Sequence, residues 1–238
     1  TSNKHSFLKS LITKLAENSI LVFEFVETWN KTERANLDGF FLQPNVIVLK
    51  RNQSSFRREI FTLTHELGHY LLNQEEVDEL DYQQLIQKDI SQVERWCNEF
   101  AYYFLAGNYA QEIYALEKAK SQNDYHADLI KNISKNTHLS QIAIYTNLLF
   151  QEKISRQDYK KVKQQFDDEY LKIQKQRLLE KELAKNMGIK SDGRSPKPIK
   201  SPLLISIIQT AFHEGVINEY EACQKLNIKP ENIDKYLL

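Results

Sequence analysis

The 238-residue chain carries 32 Lys and Arg side chains against 32 Asp and Glu, so its formal net charge is zero. This balance gives no reason to expect nucleic acid or an anionic membrane as the partner. The longest apolar run, Leu203 to Ile208, is far shorter than the roughly 18–20 residues of a membrane span. Two distant cysteines, Cys97 and Cys223, fit free thiols in the cytoplasm better than a disulfide framework.

The first part of the chain predicts a small sheet between helices. The β-branched and aromatic run Ile20–Val26 predicts one strand, and Val46–Leu49 predicts another after the turn at Asp38-Gly39. Ser54 or Ser55 is the predicted N-cap of the helix that follows the sheet. Apolar residues at helical spacing predict helices near residues 7–15, 56–72, 93–105, 111–120, 127–134 and 139–151.

The last part of the chain predicts one long helix, a linker and a small helical segment. Apolar residues at spacings of three and four continue through the charged stretch 156–187, which we expect to lie over the main domain. A free coiled coil is the alternative. Residues 188–202 are rich in Gly, Ser, Pro and Lys and predict a linker before the helices of 203–238. The expected class is α+β, mostly helical, with a small antiparallel sheet ahead of the helix at 56–72.

That helix contains the motif His65-Glu66-Leu67-Gly68-His69, an HExxH pattern in an apolar run. Residues four apart project from one face of a helix, so His65 and His69 can reach one metal ion. Glu66 lies one step round the helix, where its carboxylate can address a water on that ion. The motif indicates two ligands of a metal site and a general base.

A catalytic zinc ion needs a third protein ligand. In the extended motif HExxHxxGxxH the Gly and the third His would fall on Leu72 and Glu75, which excludes that arrangement. The alternative takes a Glu from a second helix, where Glu94 and Glu99 are candidates. We favour Glu94, because Asn98 stands four residues later on its face and can hydrogen-bond the outer nitrogen of a ligand His. The aromatic residues Trp96, Phe100 and Phe104 are expected on the core side of this helix.

Two motifs in order, FTLTHELGHYLL at 61–72 and ExxCNEFA at 94–101, resemble those of the ImmA/IrrE family of HExxH metallopeptidases. The second motif usually reads ExxANxFA in that family, so Cys97 replaces a small Ala. The resemblance covers roughly residues 20–150. Leu105-Ala106-Gly107 replaces the family's usual apolar-Met-Pro ending, which affects the helix end rather than the metal motif.

The resemblance implies a zincin-like metallopeptidase domain at 1–155, acting as a zinc-dependent, gluzincin-type endopeptidase of restricted specificity. His65, His69 and Glu94 would hold Zn²⁺, with Asn98 behind them, and Glu66 would move protons as the catalytic base. A His or Tyr should stabilise the oxyanion. The candidates left open are His126, His138, Tyr102 and Tyr103. We also expect Val46–Leu49 to offer an edge to which an extended substrate adds as a strand.

Family members are encoded beside, or fused to, helix-turn-helix repressors, and several cleave that repressor. The resemblance therefore implies a protein substrate of this kind. The charge of the chain gives no basic recognition helix, so we expect no specific nucleic-acid binding by this chain, and its short apolar runs give no reason to expect a membrane. The chain starts at Thr1 without a signal-peptide pattern, and its only methionine is Met187, so we expect that an initiator Met or a longer N-terminal piece has been removed. The alternative function is a regulatory scaffold that binds a transcription regulator with little turnover.

Overall fold

A computed structural model describes residues 3–26, 37–51, 56–75, 91–188 and 197–237. The predicted N-cap at Ser54 or Ser55 lies outside these ranges, as does most of the linker 188–202. The class is confirmed as α+β and mostly helical. The elements are α1 (Lys4–Glu17), β1 (Leu21–Val26), β2 (Gly39–Leu42), β3 (Val46–Arg51), α2 (Phe56–Leu72), α3 (Gln92–Ala106), α4 (Tyr109–Tyr114), a 3₁₀ turn (Ser121–His126), α5 (Ala127–Asn136), α6 (Gln141–Phe150), α7 (Arg156–Asn186), α8 (Pro202–His213), α9 (Glu219–Leu226), a 3₁₀ turn (Pro230–Asn232) and α10 (Asp234–Leu237).

Local capping chemistry sets several helix starts, and this explains why the predicted bounds agree well with the structure. Ser91 accepts a hydrogen bond from the backbone of Glu94 at the start of α3, and Ser155 does the same for Asp158 at the start of α7. The helix predicted at 111–120 is shorter, ending at Tyr114. Gly107 has a φ of 52°, a conformation that favours glycine, and ends α3 as its C-cap.

The sheet has three strands in the order β1-β3-β2 and is mixed, so the expectation of an antiparallel sheet was wrong. β2, which was not predicted as a strand, pairs antiparallel with β3 through the short connection Gln43–Asn45. β1 pairs with the opposite side of β3 and runs parallel to it. A parallel pair needs a longer crossover between its strands, and the chain between β1 and β3 supplies one.

The sheet packs against α1 and α2, and α2 packs against α3, with a continuous apolar cluster between them. Fully buried members include Ile12 of α1, Ile47 of β3 and Ile60 of α2. α2 therefore lies between the sheet and α3, and its side chains can meet residues from both sides. This central position determines where the polar residues of its motif point.

The long helix α7 is continuous as predicted, but only its beginning packs over the main domain. Tyr159 and Val162 are buried, whereas Leu171, Leu179 and Leu183 further along are each more than half exposed. The C-terminal helices have an apolar cluster of their own, which includes Ile208 and Leu226. The predicted domain boundaries stay a prediction.

The C-terminal segment joins the sheet through a buried charge cluster. Arg51 of β3 is 2% exposed and pairs with Glu24 of β1 and Glu59 of α2. Glu24 also accepts hydrogen bonds from the backbone N–H groups of Ile199 (3.0 Å) and Lys200 (2.6 Å). One carboxylate thus links strand β1 to the chain that enters α8. Within the described ranges, the helices all lack the combination of length and apolar character that a bilayer span requires.

Candidate metal centre

The packed helices α2 and α3 bring His65, His69 and Glu94 together in the interior. The Nε2 atoms of the two histidines are 3.1 Å apart. One carboxylate oxygen of Glu94 lies 3.1 Å from Nε2 of His65, and the other lies 2.9 Å from Nε2 of His69. All three residues are at most 3% exposed. The two histidines, four residues apart on α2, therefore both contact the Glu94 carboxylate of α3.

This donor set fits a zinc ion. Two imidazole nitrogens and one carboxylate oxygen are a usual ligand set of catalytic zinc. Ligand bonds of about 2.0–2.2 Å in a tetrahedron place the donor atoms about 3.3–3.6 Å apart. The Nε2 atoms of the two histidines, 3.1 Å apart, need to separate by only a few tenths of an ångström, and each already has a Glu94 oxygen within 3.1 Å. No other cluster of this kind was found among the described residues.

The three side chains stabilise one another electrostatically. Burial raises the pKa of Glu94, but hydrogen bonds from His65 and His69 outweigh it and hold the pKa at about 2. Burial lowers the pKa of His69, yet its contacts with the Cys97 thiol and the Glu94 carboxylate raise the pKa to about 10. Without a metal, Glu94 is therefore an anion beside a protonated His69.

Glu66 lies beside this cluster in a position suited to proton transfer. Burial raises the pKa of its carboxylate to about 7, although the nearby histidines oppose the rise. The backbone of Phe41 on β2 donates a hydrogen bond to it. Its Oε2 atom is buried and has no hydrogen-bond partner among the described residues. One oxygen is thus fixed to the sheet side while the other is open, as a general base requires.

Residues 19–144, more than half of the chain, match the profile of the family Peptidase_M78, IrrE N-terminal-like domain. The chain belongs to this family. It is a family of metal-dependent peptidases, so a metallopeptidase-type function follows for the chain. Searches of curated proteins and of solved structures found no significant match.

In this IrrE N-terminal-like domain, two close contacts at glycines hold α2 against its neighbours, one against α3 and one against β2. A Cβ atom at Gly68 would lie 3.1 Å from Cα and 3.0 Å from Sγ of Cys97, so α2 and α3 touch here. A Cβ at Gly39 would lie 2.6 Å from the Thr62 side chain, so β2 touches α2. Sequence reasoning missed both contacts. A glycine inside a helix is unfavourable, so Gly68 alone was a signal of close packing.

Asn98 does not make the hydrogen bond predicted for it. Its Nδ2 atom and the Nδ1 atoms of His65 and His69 are all buried without a partner among the described residues. Asn98 lies one turn beyond Glu94 on α3 and lines a cavity whose other walls include Thr62. Glu99 faces outward and pairs with Arg95 at 3.5 Å.

The expected core position of the aromatic residues of α3 was also wrong. Trp96 and Phe104 are 41% and 46% exposed, and Trp96 stacks on Phe100 at a centroid distance of 5.4 Å. The buried face of α3 instead carries Glu94, Cys97, Ala101, Tyr102 and Leu105. Because that face meets α2, residues at the 96–100–104 spacing point away from it.

Strand β3 is central in the sheet, so it cannot offer the edge expected at Val46–Leu49. Among the described strands, β2 is the edge that contacts α2. The N–H of Lys50 on β3 donates to the carbonyl of Asp38, just before β2. In an antiparallel pair of strands, every second residue is hydrogen-bonded to the partner strand. Gly39 and Phe41 therefore direct their backbone N–H and C=O groups away from β3.

The four candidates for oxyanion stabilisation have different surroundings. Tyr102 is buried and His138 is partly buried, and both line the same cavity as Asn98. Tyr103 is 44% exposed. His126 has its Nε2 atom 3.1 Å from the carbonyl oxygen of Glu117. The oxyanion residue therefore stays open.

Proposed function

We propose that the chain is a zinc-dependent, gluzincin-type endopeptidase of restricted specificity that cleaves a helix-turn-helix repressor and so relieves repression. The observation that carries the proposal is the convergence of two imidazole nitrogens and a carboxylate. Ligand atoms of His65, His69 and Glu94 lie within 4.8 Å of one another, with Glu66 beside them. This is the ligand set and base that metal-assisted hydrolysis of a peptide bond needs.

The residues divide the chemistry between them. His65, His69 and Glu94 would hold the ion, which when bound lowers the pKa of a coordinated water and polarises the scissile carbonyl. The open Oε2 atom of Glu66 accepts the proton of the attacking water and then returns it to the leaving amine. The hydrogen bond from Phe41 keeps the other side of this carboxylate in place.

A peptide substrate in extended form can add to strand β2. The outward-pointing backbone groups of Gly39 lie beside α2, close to Glu66, since a Cβ at Gly39 would be 3.5 Å from Cγ of Glu66. A substrate strand at this edge would pass the catalytic carboxylate. The repressor as the substrate is supported by the resemblance of the two motifs to the ImmA/IrrE family.

The test combines metal analysis with a Glu66→Gln variant. We expect both proteins to bind about one zinc ion each, because Glu66 is not a ligand. The wild type should cleave the helix-turn-helix regulator encoded beside it, whereas the variant should be slower by about 10²–10⁴-fold, the usual contribution of a general base. Mass spectrometry of the products and a zinc-chelated control measure this.

Equal cleavage by the two proteins, or no zinc bound by either, would refute the peptidase proposal. Binding of the regulator by both without hydrolysis would favour a regulatory scaffold instead.

A further inference from the structure

A cavity of about 710 Å³ lies against the first half of α2. Its walls come from α2, from the face of α3 that carries Asn98 and Tyr102, and from α6 and α7. Asp38, which directly precedes β2, also lines it. The cavity therefore meets both elements that hold Glu66, the metal helix α2 and the edge strand β2.

Strand β2 runs alongside α2 in the same direction. At its start, a Cβ atom on Gly39 would lie 2.6 Å from Cγ2 of Thr62 and 3.5 Å from Cγ of Glu66. Two residues later, the backbone of Phe41 donates to the Glu66 carboxylate, and the ring of Phe41 lies 5.8 Å from that of Tyr70. The strand thus leads from Thr62, which lines the cavity, past the catalytic carboxylate.

A peptide that adds to the outer edge of β2 reaches this cavity in one direction only. Thr62 precedes Glu66 by one helical turn, about 5.4 Å, and an extended peptide spans about 3.3–3.6 Å per residue. The cavity wall at Thr62 therefore lies about two residues from a bond held at Glu66. In the other direction the peptide runs towards Leu42 and Tyr70, neither of which lines the cavity.

The surface of the cavity is mainly apolar. Most of its accessible wall is carbon, and five large side chains from α2, α6 and α7 contribute to it: Phe61, Ile142, Phe150, Phe166 and Tyr170. Ala143 of α6 also lines the cavity, and its short side chain leaves space there. Ligand cavities of about 300–1,000 Å³ with apolar walls typically enclose most of a small organic group. The size and the wall therefore suit a large apolar side chain.

The charged residues of the wall balance one another. They are three acids and three bases: Asp38, Glu99, Asp167, Arg57, Arg58 and Lys163. Asp38 and Arg58 form a direct pair at 2.5 Å. Burial lowers the pKa of His138, which also lines the cavity, so this imidazole is neutral at pH 7. Since no net charge attracts an ionic group, removal of apolar surface from water is the main favourable contribution.

We propose that this cavity is a specificity subsite for a large apolar side chain of the peptide substrate, aromatic or aliphatic. The side chain lies about two residues from the scissile bond, on one side of it only. The inference rests on the proposed peptidase function and adds a substrate class to it: sequences with a bulky apolar residue on one side of the cleavage site.

Binding can be measured without turnover in the zinc-loaded Glu66→Gln protein by fluorescence anisotropy. The probes are two fluorescein-labelled octapeptide pools of random Ala, Ser and Thr. They differ at the fourth position only, which is Phe in one pool and Asn in the other. We expect the Phe pool to bind at least about tenfold more tightly, because a ring buried in the cavity leaves water.

Filling the cavity should remove this preference. Ala143→Phe adds a ring to the wall and should bring the two affinities within about twofold of each other. The matched control Ala115→Phe makes the same change at the exposed C-cap of α4 and should keep the preference. Tyr170→Ser removes a wall ring and should weaken the preference at least about threefold, whereas Tyr220→Ser on α9 should keep it.

Equal binding of the two pools, no binding of either, or an undiminished preference in folded Ala143→Phe would overturn the inference. If Ala143→Phe does not fold, the Tyr170→Ser protein decides, because Tyr170 is more than half exposed and its loss leaves the core intact. An unchanged preference in Tyr170→Ser would then overturn it.

Hydrolysis separates this inference from the peptidase proposal. Zinc-loaded wild type should cut a mixed peptide library at bonds with Phe, Leu or Ile about two residues away on one side, and Ala143→Phe should lose this enrichment. Hydrolysis without apolar enrichment, or with equal enrichment on both sides, refutes the inference alone. A Phe preference in binding without zinc-dependent hydrolysis refutes the peptidase proposal alone.

Discussion

Gly68 provides a sharp test of how the metal centre is held together. A Cβ at this position would lie 3.1 Å from Cα, 3.2 Å from Cβ and 3.0 Å from Sγ of Cys97. Non-bonded carbon atoms prefer about 3.5–4.0 Å, so Gly68→Ala should push α3 away from α2 by roughly half an ångström. Cys97 lies three residues after Glu94 on α3, so that carboxylate must move with it.

The magnitudes predict a loss of metal binding that is larger than the loss of stability. Metal ligand distances tolerate only about ±0.2 Å, so we expect zinc affinity to fall at least about tenfold. Overpacking costs about 1–3 kcal/mol, whereas Ala gains about 0.5–1 kcal/mol over Gly in a helix. The free energy of unfolding without metal should therefore fall by only about 0–2.5 kcal/mol.

Competition with a chromophoric chelator measures the zinc affinity, and urea unfolding in EDTA measures the stability. A double-mutant cycle with Cys97→Gly supplies the control, because that change removes two of the three contacting atoms and should restore part of the affinity. Unchanged zinc affinity in Gly68→Ala, together with higher stability, would show that the helices adapt without displacing Glu94.

Three further results are expected. Glu94→Gln should weaken zinc binding by at least about 100-fold in the chelator assay, because even a residue that only hydrogen-bonds a metal ligand contributes about 10–100-fold. An affinity within a few fold of wild type would exclude Glu94 as a ligand. In EDTA, the His69–Glu94 pair should stabilise the fold fully between pH 4.5 and 6.5, the ordinary pKa values of Glu and His. This contribution should decline as the pH rises towards about 10, where His69 loses its proton, or falls towards about 2, where Glu94 gains one. Urea unfolding measured across this pH range tests the prediction, and Glu94→Gln should flatten the dependence of stability on pH. Arg51→Met should lower the free energy of unfolding by about 3–5 kcal/mol, because it removes the buried positive charge that lies between the carboxylates of Glu24 and Glu59. A neutral effect at pH 7 would contradict the assigned network.

The predicted helices agree with the structure because their signals are local. The spacing of apolar residues is sufficient to indicate α3 and α7, and the structure begins α3 one residue before the predicted start. The face of α3 was harder to predict. Trp96 and Phe104 are large and apolar, yet they are turned outward because the face that carries Cys97 packs against Gly68 of α2.

The HExxH spacing by itself determined that His65 and His69 share a face and that Glu66 lies beside them, since the period of one helix fixes these relations. Only the tertiary structure decided what meets that face. It brought Glu94 to within 3.1 Å of both histidines, left Asn98 in a neighbouring cavity and made β3 the central strand. These outcomes depend on close contacts between segments that are far apart in sequence, such as Gly68 against Cys97, and no local pattern encodes them.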